Sequence, residues 1–82
     1  MSGSLYVSNL PSTATEEALK GTFGRFGTVL SVKIKRDPET GVNRPYGFIE
    51  MKTTGEARTA ASALNATRFE GRLLSVSRAV RS

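Results

Sequence analysis

Arg44-Pro45-Tyr46-Gly47-Phe48-Ile49-Glu50-Met51 carries the plainest regularity in the chain. From Tyr46 to Met51 it alternates residue by residue. Tyr46, Phe48 and Glu50 fall on one side of an extended chain, and Gly47, Ile49 and Met51 on the other. That period of two marks a strand. Which of its faces is the core depends on its neighbours in the sequence.

Upstream, Val29 to Arg36 alternates in the same way, with Val32 and Ile34 on one side and Lys33 and Lys35 on the other. Asp37-Pro38-Glu39-Thr40-Gly41 between the two strands is a turn cluster, because Pro presets φ and Gly permits φ above zero. Further upstream, Leu5, Val7 and Asn9 alternate with Tyr6, Ser8 and Leu10, and Pro11 stops this strand. Downstream, Gly71 precedes a last strand with Leu74 and Val76 on one face and Ser75 and Ser77 on the other.

Two helical segments separate these strands. Ala18, Leu19, Thr22, Phe23 and Phe26 recur at helical spacing. Thr15 is a candidate N-cap followed by the acids Glu16 and Glu17, and Thr13 with Glu16 is an alternative capping box. Gly27 is the expected left-handed end of this helix. Thr54 is the expected cap of a second helix carrying Ala57, Ala60, Ala61 and Leu64, whose small side chains allow close approach to a sheet, with Asn65 as its exit.

The order is therefore β-α-β-β-α-β. Each helix must bury one apolar stripe, so both cover the same sheet face. Right-handed crossovers then give an α+β, ferredoxin-like sandwich: a four-stranded antiparallel sheet with two helices on one face. Leu5, Val7, Val32, Ile34, Gly47, Ile49, Met51, Leu74 and Val76 form the covered side. Tyr6, Ser8, Lys33, Lys35, Arg44, Tyr46, Phe48, Glu50, Ser75 and Ser77 form the open side.

The chain has two Tyr, four Phe and no Trp, so half of its aromatic rings lie on the side the core does not use. Exposed aromatic clusters mark interaction sites. Rings interleaved with Lys33, Lys35 and Arg44 suit single-stranded nucleic acid, because bases stack on the rings while cations meet phosphates. The same alternation would also arise if the three rings packed as cross-strand pairs or lay under a terminal helix.

Composition narrows the function classes. The 82 residues allow one domain, spanning residues 1–82 with a core over about 5–79 and short flexible ends. There is no cysteine and no histidine, which removes disulfides, thiolate metal sites, the cysteine nucleophile and the commonest general base. No metal, cofactor or catalytic group is expected, and an enzyme reading, such as a small ferredoxin-like phosphatase, finds no partners for Asn9, Asn43 or Asn65 beyond strand, turn and helix exit. Net charge is +5, which attracts polyanions. The sequence has no apolar run long enough to span a bilayer and does not open with a signal peptide, so an intracellular, monomeric protein is expected.

At these residues the chain resembles the RNA recognition motif family, from about Leu5 to Ala79. Leu5-Tyr6-Val7-Ser8-Asn9-Leu10 looks like the family's RNP2 motif, and Arg44 to Met51 looks like its RNP1 motif. The resemblance implies strand order 4-1-3-2 with the two RNP strands adjacent. It implies that Tyr6 and Phe48 each stack a base, that Tyr46 inserts against sugar, and that Arg44 pairs with a phosphate. Lys33 and Lys35 would flank the RNA on the second strand, and Ser75, Ser77 and Arg78 would add hydrogen bonds from the fourth. Glu50 reads either as an acceptor for a base N–H or as a solvated carboxylate. Two positions depart from the pattern. Pro45 stands where a Gly is usual and gives no ladder N–H, and Met51 replaces an aromatic on the core side.

Phe23 and Phe26 read as core, Phe69 as hairpin or core packing, and Arg25, Arg58 and Arg68 as solvated charges. Arg78 and Arg81 read either as phosphate contacts or as a fraying basic tail. The expected function is binding of single-stranded RNA, with single-stranded DNA or a protein partner, docked on the helical or the sheet face, as alternatives.

Overall fold

The computed structural model describes residues 2–79, so Arg81 lies outside the described residues. The elements in chain order are β1 (Gly3–Ser8), α1 (Glu16–Phe23), β2 (Val29–Arg36), β3 (Asn43–Met51), α2 (Thr54–Leu64), β4 (Arg68–Phe69), β5 (Arg72–Leu73) and β6 (Ser75–Arg78). The main sheet runs β2-β3-β1-β6 with every neighbouring pair antiparallel. With β6 as the fourth strand, this is the 4-1-3-2 order expected.

Both helices lie on one face. α1 packs against β2, and α2 against β1, β3 and β6. Leu5, Val7, Ile34, Ile49, Met51 and Val76 from the sheet meet Leu19, Phe23, Ala57 and Ala60 from the helices, with Val32 and Phe26 half-buried at the margin. The alanines matter because α2 sits close: a Cβ at Gly3 would lie 2.6 Å from the Ala57 Cβ. Burying these apolar groups at ~25 cal/mol per Å² is the main force holding the helices to the sheet.

Local hydrogen bonding decides where elements begin and end, and it moves several of the expected boundaries. Thr15, not Thr13, caps α1, since its Oγ1 accepts from the Ala18 amide at 3.1 Å. Thr53, not Thr54, caps α2, because Thr53 is extended (φ −129°) and its Oγ1 accepts from the Glu56 amide at 3.0 Å. Asn65 is the C-cap, as expected. Gly27 does not end α1. The helix stops at Phe23 with Gly24 as a right-handed C-cap, and Gly27 instead gives room to α2, since a Cβ there would lie 2.5 Å from the Glu56 carboxyl carbon. The space lets Glu56 Oε1 accept from the Thr28 amide at 3.2 Å.

Strand ends are also corrected. β1 stops at Ser8 because Asn9 turns left-handed at φ +63°. That reversal of side-chain sense puts Leu10 in the core rather than beside Tyr6 and Ser8. β3 begins at Asn43, three residues before Tyr46. Its register with β2 breaks between Ile34–Gly47 and Arg36–Asn43 pairs, and Pro45 falls inside that irregularity, where no ladder N–H is called for. A short β4–β5 hairpin precedes β6, closed by Glu70 and Gly71, both at positive φ (50° and 88°), and it buries Phe69.

Candidate nucleic-acid interface

Antiparallel register builds the platform. Tyr6 of β1 lies opposite Phe48 of β3, and Ser8 opposite Tyr46. Directly opposed side chains share a face, so the three rings gather on the side away from the helices. Tyr6 and Phe48 centroids are 5.5 Å apart, Tyr6 and Tyr46 5.9 Å, and Tyr46 and Phe48 6.4 Å. These separations are those of interacting aromatic pairs, which fixes the rings against one another. Cross-strand pairing is thus real, yet it does not hide the rings. Phe48 keeps 38% of its surface exposed, and both tyrosines are only half-buried.

Of the expected cations, Lys33 is in register with this group, and Lys35 and Arg44 lie at the register break. Lys33 sits opposite Phe48 on β2 and is exposed. Lys35, also exposed, lies within the register break. Arg44 is exposed at the start of β3, with Nη2 3.6 Å from Asp37 Oδ2. That carboxylate is itself fixed, because Asp37 Oδ1 accepts from the Glu39 amide at 2.9 Å and the Thr40 amide at 3.1 Å. These amides, the Glu39 one foremost, with Arg44 adding, hold the Asp37 carboxyl below its ordinary value of 3.8.

On the other flank Ser77 lies opposite Tyr6 and Ser75 opposite Ser8, both exposed. Arg78 differs from the remaining expected residues. It pairs with Leu5, so its register parity belongs to the helix-covered face, at whose rim it is exposed. Glu50 sits between two serines, opposite Ser4 on β1 and Ser31 on β2, and its Oε2 accepts from the Ser2 hydroxyl at 2.9 Å. Ser4 and Ser31 escaped the sequence reading, although alternation from Tyr6 and Lys33 places both on the open face.

The three asparagines do structural work that alternation could not reveal. Asn43 Nδ2 donates to the Ala14 carbonyl at 2.8 Å and the Ser12 carbonyl at 3.2 Å, while its Oδ1 accepts from Arg36 at 3.1 Å. Asn9 Nδ2 donates to the Leu73 carbonyl at 2.7 Å, and its Oδ1 accepts from Arg72 at 3.0 Å. Asn65 Oδ1 accepts from the Val76 amide at 3.0 Å and so ties the exit of α2 to β6. Among the described residues no group of acids could hold a metal ion, and no helix is long and apolar enough to cross a membrane.

The sequence pattern of the RNA recognition motif matches residues 5–75. The chain belongs to the RNA recognition motif family. An uncharacterised RNA-binding protein of Schizosaccharomyces pombe is 42% identical over 78 residues, covering 95% of this chain but only 26% of that relative's length. The crystal structure of RNA binding protein PG1 superposes with a TM-score of 0.93 at 38% identity, covering 98% of this chain and 96% of that one. A chain of a Sxl-lethal protein/RNA complex superposes with a TM-score of 0.88 at 40% identity, over 94% of this chain and 47% of that one. The two stretches that resemble the RNP motifs meet as β1 and β3, with Leu5 to Ser8 paired against Tyr46 to Ile49.

Proposed function

We propose that this domain binds single-stranded RNA across the open face of its sheet, as an RNA-binding module without catalytic chemistry of its own. The observation that carries this reading is the contact group Tyr6, Tyr46 and Phe48, uncovered by either helix and in register with Lys33. Tyr6 and Phe48 each stack a base, and Tyr46 packs against sugar. Lys33, Lys35 and Arg44 meet phosphates, while Ser75 and Ser77 offer hydroxyls to the base edges. Arg78 reaches the strand only from the rim. The RNA complex of the Sxl-lethal protein supports the choice of ligand. An RNA ligand places the domain inside the cell, and a single copy supplies the whole platform.

Two stacked bases give ~2–6 kcal/mol, less than the ~4–15 kcal/mol that association costs. Phosphate and hydroxyl contacts must add to them, and a lone domain binds at the ~micromolar level. Phe48→Ala tests the reading. Titration with short RNAs is expected to show a loss of at least ~1 kcal/mol, with the circular dichroism of the folded domain retained. Undiminished affinity in that variant removes stacking from the mechanism.

A further inference from the structure

Resting on that reading, we propose that Glu50 makes one position of this face selective for guanine. The open face is not flat beyond Phe48. A recess of about 420 Å³ opens there, and its lining includes Phe48, Lys33, Glu50, Ser4, Ser31 and Ala79. Register explains it. Lys33 stands opposite Phe48, one step along β3 stands Glu50, and the residues opposite Glu50 on both neighbouring strands are serines, too short to fill the space.

The lining therefore includes an aromatic ring and an acid two residues apart on one face of β3. Glu50 is half-buried and, among the described residues, forms no ion pair. Its charge opposes any phosphate, so the ligand group it suits is a donor. Such a donor can reach it from the surface, because the Ser2 hydroxyl already does so at Oε2.

The bases differ in what they can offer a carboxylate. Guanine presents two adjacent donors, N1–H and the N2 amino group, matched to two carboxylate oxygens as a bidentate pair. Adenine and cytosine each present one amino group. Uracil presents one N–H between two carbonyls, which the carboxylate repels. Guanine O6, next to N1–H, is an acceptor for the Lys33 ammonium or a serine hydroxyl. A base stacked on Phe48 with its Watson–Crick edge towards Glu50 finds both sets of partners only if it is guanine.

The test uses the whole chain and hexauridine carrying one guanosine, placed at each position in turn, read by fluorescence anisotropy. At one position guanosine is expected to bind about tenfold more tightly than uridine, the scale of a good bidentate base contact. Inosine, which keeps N1–H and O6 but lacks the N2 amino group, is expected to fall between them. Glu50→Gln is expected to collapse the guanosine-to-uridine ratio towards one. Equal affinities at every position, or a ratio that Glu50→Gln leaves intact, overturns the inference while Phe48→Ala still weakens hexauridine and upholds stacking. If no hexamer binds, or Phe48→Ala changes nothing, both the stacking reading and the guanine site fall.

Discussion

Asp37 and Arg44 illustrate how a single residue can set the state of an exposed cation beside the sheet's open face. Arg44 is exposed at the start of β3 and leans on Asp37 at 3.6 Å. Both side chains are substantially exposed, so the pair itself contributes little. Asp37's tighter partners are the Glu39 and Thr40 amides, which lower its pKa and pin the turn. A lowered folded pKa means that the ionised form is favoured by folding. The resulting stability is present above the ordinary value of 3.8 and disappears as pH falls through the lower folded value. Thermal unfolding of the native chain and of Asp37→Asn between about pH 6 and pH 2 is expected to show a difference that closes below pH ~3.8. A gap that persists to the lowest pH rules out this carboxylate as its source.

At the scale of elements, the pairing of β2 with β3 fixes Lys33 beside Phe48, and Gly47 controls that pairing. A Cβ on Gly47 would lie 2.6 Å from the Lys33 carbonyl oxygen and 3.2 Å from the Ile34 Cα, both backbone atoms that cannot turn aside. Gly47→Ala is therefore expected to destabilise the domain by ~1–3 kcal/mol, the scale of overpacking. Urea unfolding checks this through a lower midpoint with the slope preserved. A midpoint equal to that of the native chain means the two strands can separate without penalty. Glu16 supports the same edge from α1. Its Oε2 accepts from the Ile34 amide at 3.1 Å, next to the register break. A helix N-terminal acid thus satisfies a strand amide as well as the macrodipole.

For the whole molecule, the distribution of charge matters more than the net +5. Lys33 stands opposite Phe48, Lys35 and Arg44 are exposed at the adjoining register break, and Glu16 and Asp37 engage Arg36 and Arg44 near the end of β2. If Lys33, Lys35 and Arg44 each neutralise one phosphate, the logarithm of the RNA affinity falls with the logarithm of salt with a slope of about −2. Lys35→Ala is expected to make that slope shallower by about 0.7. Titrations across a salt series measure both. A slope near zero means the cations stay in solvent and the affinity comes from bases alone.

The alternation of β1, β2, β3 and β6, the two helices, the Thr15 cap of the first and the three rings on the uncovered side were all legible in the sequence. Each follows from a short-range rule: a strand's period of two, a helix's period of 3.6, or a cap within three residues of its amide. Two misreadings are local, the α2 cap at Thr53 rather than Thr54 and the end of α1 at Gly24 rather than Gly27; the others fall where a partner lies far along the chain or where one backbone angle breaks the period. Asn9 reverses the side-chain sense by turning left-handed, so Leu10 enters the core instead of the open side. Its amide meets Leu73, 64 residues away, which no local pattern encodes. Pro45 is accommodated by a register break that exists only because β2 and β3 pair as they do. Arg78 takes its face from its pairing with Leu5, and Glu50 takes its recess from the two serines beside it. Sequence set which way each strand's side chains point, because that is a property of the backbone alone. Only the tertiary structure decided which side chains stand next to one another, because that depends on where distant strands come to rest.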